Sequence, residues 1–363
     1  MRTASILEYL GARYALDVVV FREPGAPDPG AAHAIDLPFH SKAPVARAAR
    51  NLRRLILGRP PLNDRFQGFG AEVSRCLGRE QYDVAFIEHF WCASYVDQIA
   101  PRARRVILDL HNVESALYQS LADSEPWPRS AVFGRFARAV RRLEVRWIPR
   151  FSSVLVASHE DAGRVRRIAP QARVHVFPNA VPEVAEPRVE EENVIVFSGN
   201  LEYQPNVSAV RFFRSRVWPL LREQWPELRW RLVGRNPHAV AGHVRGDARI
   251  ELTGPVADAV AELAKARVVV APLLAGSGTR TKILEAWAAG RAVVSTTLGA
   301  EGLEARDGEH LLLGDTPEAF AAAVSALLAS PGERLRLGAA GRSLLERAFT
   351  WPRAWEALAA CGV

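Results

Sequence analysis

Residues 268–296 read VVVAPLLAGSGTRTKILEAWAAGRAVVST and bring together residue types suited to holding an anion. A buried strand runs into the Gly-rich turn of Gly276, Ser277 and Gly278, and a helix starts near Thr279 or Arg280. Free backbone N–H groups at a helix N-terminus, reinforced by the helix dipole, bind an anion without any side chain. Two glycines let that backbone come close to a phosphate. Arg280 and Lys282 add two cations in the first turn, where they oppose the dipole unless an anion sits between them and the amides. Glu285 follows Arg280 by about one and a half turns, and its carboxylate suits paired ribose or sugar hydroxyls. An ordinary helix start with a surface Arg and Lys is the other reading of the same residues.

A second loop has the same form. VIVFSGNLEYQPN, residues 194–206, reads as strand, Gly turn and helix, which puts Gly199 and Asn200 at another strand end. In the first half, VILDLHNVES (106–115) places His111 just past a buried strand, and YDVAFIEHFW (82–91) does the same for Glu88 and His89. A histidine at such a place can move a proton or bond a substrate hydroxyl near neutral pH; a structural hydrogen bond is the alternative.

The elements that must carry these residues alternate between strand-like apolar runs and helix-length segments, the pattern of a parallel α/β architecture. Strands are expected at 17–22, 83–88, 105–110, 153–157 and 174–177, with helices at 5–14, 45–57, 63–77 and 132–148. Residues 178–193, with prolines at 178, 182 and 187, read as an interdomain linker. A second series follows, with strands at 194–198, 229–233, 249–252, 268–272, 292–296 and 310–313 and helices at 208–223, 256–265, 280–289 and 317–329. The expected domains are 1–180, with 349–363 crossing back onto it, and 181–348. Ligands of open α/β sheets bind outside the carboxyl ends of the strands.

Composition narrows the classes. The 363 residues are 48% hydrophobic and 24% charged, the balance of a soluble globular protein, and no apolar run approaches a membrane span. No leader opens the chain, so a cytoplasmic protein is expected. Three scattered cysteines, Cys76, Cys92 and Cys361, offer neither a disulfide framework nor a zinc knuckle. There is no GxxxxGK[ST], HExxH, GxSxG, Asp-x-Asp or opening GxGxxG, so neither a metal nor a bound cofactor is expected.

The net charge is +7, and Lys42, Lys265 and Lys282 are the only lysines among 47 basic residues. Codon drift in a GC-rich genome and an anionic partner both account for such arginine. Two helices concentrate it. In 45–57, Val45, Ala49, Leu52 and Ile56 form one stripe, with Arg47, Arg50, Arg53 and Arg54 largely away from it; residues 129–150 mix arginines with apolar residues. Such helices pack one face and solvate the other, or lie on anionic lipid at the inner face of a membrane.

At residues 268–296 the chain resembles the group 1 (family 4) retaining glycosyltransferases of GT-B fold, and the similarity covers nearly everything from Arg13 onward. The GSGTRTKILEAWAAG block is specific; FSGNLEYQPN, PNAV at 178–181, LTGPV at 252–256 and DLHNVES support it in the family's order. FTWPRAWEALAA, 349–360, resembles the final helix that crosses back onto the amino-terminal domain. The resemblance implies two Rossmann-like domains facing across a cleft, the carboxyl-terminal one binding a nucleoside-diphosphate sugar. Glu285 would hold the ribose, Arg280 and Lys282 would neutralise the diphosphate, Gly254 and Val256 would border the base, and His111 would contact the transferred sugar. The acceptor would be a saccharide or lipid-linked saccharide of the cell envelope or an exopolysaccharide, with no nucleic acid involved.

Three departures from the family pattern carry consequences. Ser277 stands where the first Glu of the family's E-x7-E motif is found. Asn200 and about Pro205 replace an Arg and a Lys, which shifts the phosphate burden to Arg280 and Lys282. The chain also opens in a helix, so the amino-terminal domain lacks its first strand and Gly-rich loop; a start upstream of Met1 is expected, and the alternative is a domain that truly lacks a strand and exposes a hydrophobic sheet edge. Two other functions fit the same fold: a sugar-nucleotide epimerase, and a noncatalytic or truncated nucleotide-binding homologue.

Overall fold

The structure, a computed structural model, describes residues 2–28, 30, 32–41, 43–78, 81–278 and 280–363. Contacts divide it into two α/β units: one runs through Phe177 and takes in Ala357–Val363, and the other spans Pro178–Glu356. Every described strand pairs in parallel, as expected of apolar runs separated by helices.

In the first unit, β1 (Val19–Arg22) pairs with β2 (His33–Asp36), and β3 (Ala85–Glu88), β4 (Val106–Leu110), β5 (Ser153–Val156) and β6 (Val174–Val176) form a sheet in that order. Leu108, Val154, Leu155 and Val156 are fully buried at its centre. β2 was not expected, because HAID has no apolar run to announce it. Among the described residues no strand joins β1–β2 to β3–β6. This unit is therefore a Rossmann-like sheet in two pieces.

Two helical expectations need correction here. The single helix at 63–77 is two, Pro61–Phe66 and Gly70–Cys76, interrupted at Gly68, whose φ of 97° is open to glycine alone. The helix Pro44–Leu57 turns Arg54 inward rather than its apolar stripe: Arg54 is buried, whereas Val45, Leu52 and Ile56 face solvent. Arg54 Nε donates to Asp64 of the next helix at 2.8 Å, and that partner sets which face turns inward.

The second unit is one six-stranded sheet of β7 (Val194–Ser198), β8 (Arg229–Val233), β9 (Ile250–Gly254), β10 (Val268–Ala271), β11 (Val293–Ser295) and β12 (Leu312–Leu313). Its order is β12-β11-β10-β7-β8-β9. β7 and β10 are buried along their whole length, as apolar strands covered on both faces must be. The helix expected at 208–223 starts earlier, at Gln204, and is broken by a π turn at Phe213–Val217. Pro219 supplies no N–H to the ladder, and the wider turn absorbs the fault. The expected linker is partly core: Val181 is buried with Leu344, Leu345 and Phe349, and its N–H donates to Phe349 O at 3.1 Å.

The last helix, Trp351–Ala360, leads into the first unit, where Arg105 donates to Cys361 O and Gly362 O, and Tyr9 Oη donates to Val363 O. No helix among the described residues is long and apolar enough to cross a membrane.

Candidate functional site

In the second unit, the sheet order sets the turns that follow β10, β7, β8 and β9 side by side at the carboxyl edge. Gly199 N–H donates to Val233 O and Gly234 N–H to Gly254 O, both at 2.9 Å, which laces three of these turns together. A Cβ on Gly234 would lie 1.8 Å from Gly199 O, so no other residue fits there. Gly199 has φ 142°, and a Cβ on it would meet Asn206 at 2.9 Å and Lys282 Nζ at 3.6 Å. The cation of the Gly-rich block thus faces the turn after β7.

Lys282 reaches that turn from the helix Thr281–Ala288. Its ammonium donates to Asn206 Oδ1 at 2.8 Å, and Asn206 Nδ2 donates to Asn200 O at 2.8 Å. Asn200 Oδ1 in turn accepts from Asn236 Nδ2 at 3.1 Å. Burial, with the Arg280 charge adding to it, pushes the Lys282 amine down to about 7. Burial pushes the Glu285 carboxyl up, and Lys282 works against that rise. An anion placed here restores the lysine's charge.

Arg280, expected to neutralise a diphosphate together with Lys282, is also bonded within its own loop. It is buried, and it donates to the carbonyls of Ser277, Gly278 and Leu298, so the guanidinium pins the loop's own backbone. A Cβ on Gly276, at φ 146°, would lie 2.8 Å from that guanidinium. Ser277 is buried and Gly278 has φ 76°; Thr279 lies outside the described residues. Gly254 joins the group through Gly234, whereas Val256 packs partly into the core beneath. Asn206, which ties Lys282 to Asn200, was missed: it stands inside the quoted FSGNLEYQPN run, but only the fold brings residues 76 apart in sequence together.

In the first unit, β3 and β4 deliver Glu88 and Asp109 to adjacent positions, with His89 and His111 just beyond. His111 Nε2 lies 2.9 Å from Glu88 Oε2 and 3.3 Å from Asp109 Oδ2. Burial opposes charge on this ring, but bonds to Asp109 and Glu88 outweigh it and raise the pKa. His89, at φ 67°, stacks between Trp91 at 4.1 Å and His111 at 3.8 Å, and burial followed by the His111 charge pushes it down to about 3. Among the described residues Glu88, His89 and His111 are the one group of three whose ligand atoms lie within 4.8 Å of one another. The guanidinium of Arg2 lies beside this cluster and disfavours a further cation.

Arg2 was the other residue the sequence did not disclose. Its Nε donates to Asp109 Oδ2 at 2.8 Å and its Nη2 to Oδ1 at 2.5 Å, in an ion pair almost wholly removed from solvent. Against burial, Arg2 holds the Asp109 carboxyl well below its usual range. Arg2→Met strands that carboxylate and should lower unfolding stability by about 3–5 kcal/mol in urea titration. A change below about 1 kcal/mol would mean the pair carries little. Behind His111, Glu144 accepts from Ser115 N–H at 3.0 Å and so fixes the start of the helix Glu114–Ser124.

Residues 2–184 match the model of Glycosyltransferase Family 4, and residues 192–330 match that of Glycosyl transferases group 1. An uncharacterized 44.6 kDa protein in the cps region of Klebsiella pneumoniae is 21% identical over 307 residues, 77% of this chain and 76% of that protein. Sucrose-phosphate synthase from Thermosynechococcus elongatus superposes with a TM-score of 0.70 at 17% identity, over 99% of this chain and 92% of that one. HepE of Anabaena, solved with UDP and glucose, superposes at 0.65 with 13% identity, over 96% and 99%. At such identities the likeness is one of fold, and that fold is GT-B.

Proposed function

This chain belongs to family 4 of the group 1 glycosyltransferases, and on that premise we propose that it moves a sugar from a nucleoside-diphosphate donor to a saccharide or lipid-linked saccharide acceptor, with retention at the anomeric carbon. The acceptor belongs to a cell-envelope or exopolysaccharide pathway, a reading supported by the relative in the cps region. The observation that carries the proposal is the half-buried Lys282 ammonium, set between the Gly199 turn and the start of the Thr281–Ala288 helix.

In this reading the amides of the loop and helix start bind the diphosphate together with Lys282, and Arg280 holds the loop in the shape that aims them. Glu285 accepts from the ribose hydroxyls. The donor's C1–O bond to the diphosphate breaks as the acceptor oxygen bonds C1 on the same face, and the acceptor's proton passes to the departing phosphate. Charge develops on that phosphate, so preorganised donors there contribute most to the rate, and Lys282 and Arg280 supply the cationic charge without a metal. His111 is assigned the contact to the transferred sugar.

The test is release of nucleoside diphosphate from UDP-glucose, with and without a saccharide acceptor, and proton NMR of the product. Release accelerated by acceptor, with the donor's anomeric configuration kept, is the expected result. Conversion of donor to another sugar nucleotide without acceptor would make the protein an epimerase. Binding without any turnover would make it a noncatalytic homologue. Arg280→Ala with Lys282→Ala should abolish nucleotide binding in every case where the site is correctly placed.

A further inference from the structure

We propose that the helix Pro44–Leu57 docks on an anionic lipid surface, with its apolar ridge facing away from the protein. The inference stands apart from the transferase reading, since it concerns a surface that holds none of the proposed donor-binding residues. At 100° per residue, Val45, Ala49, Leu52 and Ile56 fall within about 60° of one another on the helix. Val45 is 82% exposed, Leu52 58% and Ile56 64%. Nothing among the described residues covers this ridge.

The orientation is held from the other side. Arg54 donates to Asp64, and Arg135 donates to the carbonyls of Leu55 and Ile56, both at 2.6 Å, closing the helix's carboxyl end. Gly58, in the left-handed conformation at φ 61°, ends it. The helix is thus anchored by Arg54 and at its carboxyl end, which presents the apolar stripe outward as a fixed ridge. An amphipathic helix that merely stabilised the fold would be turned the other way.

Charge selects the occupant. The helix carries four arginines and no carboxylate of its own, and Arg59 follows it. Among the described residues Arg47 and Arg59, both exposed, have no carboxylate partner, while Asp64 is already engaged by Arg54 and Arg53. Burial and then the charges of Arg65, Arg50 and Arg54 push His40 below its ordinary value, which marks the same positive field. Arg53, about 40° round the helix from Ala49 and 58% exposed, borders the apolar ridge, and Arg47 and Arg59 add to the positive field around it; that pairing fits the boundary of an anionic bilayer, where apolar side chains enter the acyl region and arginines meet headgroups. A second copy of this chain would set like charges against one another.

Sedimentation of the full chain with vesicles rich in phosphatidylglycerol, compared with pure phosphatidylcholine, tests this. The protein should partition onto the anionic vesicles and much less onto the neutral ones, and Leu52→Glu with Ile56→Glu should lower partition at least about tenfold. Arg47→Ala with Arg59→Ala should weaken it less and reduce its sensitivity to salt. Unfolding temperatures and nucleotide binding should match the parent; should the glutamate pair disturb folding, Val45→Ser with Leu52→Ser serves instead. Equal partition by the ridge variants, or no preference for anionic lipid, would overturn the proposal. So would light scattering that shows a dimer which these variants dissolve, without vesicle binding.

Discussion

Lys282→Met should weaken binding of a nucleoside-diphosphate sugar about a hundredfold near pH 6, the ~3 kcal/mol of a charged hydrogen bond to phosphate in a half-buried site. The pH dependence follows from the amine being pushed down to about 7 by burial and the Arg280 charge. Above pH 7 the empty site holds mostly neutral amine, whereas bound diphosphate favours ammonium, so binding takes up a proton. Affinity should therefore fall as pH rises above 7, approaching about tenfold per unit, until the pKa of the bound form is passed. Calorimetric titration between pH 6 and 9, with a sugar-diphosphate whose phosphates do not titrate there, measures this directly. The Lys282→Met variant should show weak binding with no pH slope. Its unfolding temperature should equal or exceed the parent's, because a buried amine costs stability that methionine does not. A variant that lost stability along with binding would assign Lys282 a structural role.

His111→Ala should lower kcat at least about a hundredfold while leaving nucleotide affinity within about twofold, the range expected for loss of one preorganised hydrogen-bond donor to the reacting sugar. The cluster around the ring is what makes this large. Asp109 and Glu88 both lie on Nε2, and Arg2 holds Asp109 ionised, so the imidazole is oriented and its charged form favoured. Glu88→Gln removes the charge of one of the two acceptors that raise the His111 pKa. Where the protonated ring is the active form, the alkaline limb of the rate profile should then move to lower pH. Steady-state rates from pH 5 to 9 for parent, Glu88→Gln and His111→Ala separate the outcomes. An unshifted limb in Glu88→Gln, with full activity in His111→Ala, would remove this cluster from the chemistry.

The second unit was the more legible in the sequence, and the reason is physical. β7 and β10 are apolar along their whole length because both faces are covered, so VIVFS and VVVA stand out without any partner being known. The glycines of two turns are equally visible, and Gly199 and Gly276 sit where a Cβ would strike Asn206 or the Arg280 guanidinium; Gly234, which a Cβ would drive into Gly199 O, was not singled out. What could not be read was direction. The apolar stripe of Pro44–Leu57 has a clear period, but whether it faces the core depends on Asp64 receiving Arg54, a contact outside the helix. The Arg2–Asp109 pair spans 107 positions, and the Lys282–Asn206 pair spans 76. Neither leaves a local pattern. β2 escaped because four half-polar residues form a strand only beside β1.

The central claim is that a diphosphate nests at the start of the Thr281–Ala288 helix beside the Gly199 turn. A crystal structure of the full chain with UDP is the most direct measurement of it. The account predicts a phosphate oxygen within about 3 Å of Lys282 Nζ and of backbone amides in the Gly276–Lys282 segment, with ribose hydroxyls on Glu285. A nucleotide bound elsewhere, with the Lys282–Asn206 bond undisturbed and the Gly-rich loop unliganded, would contradict it.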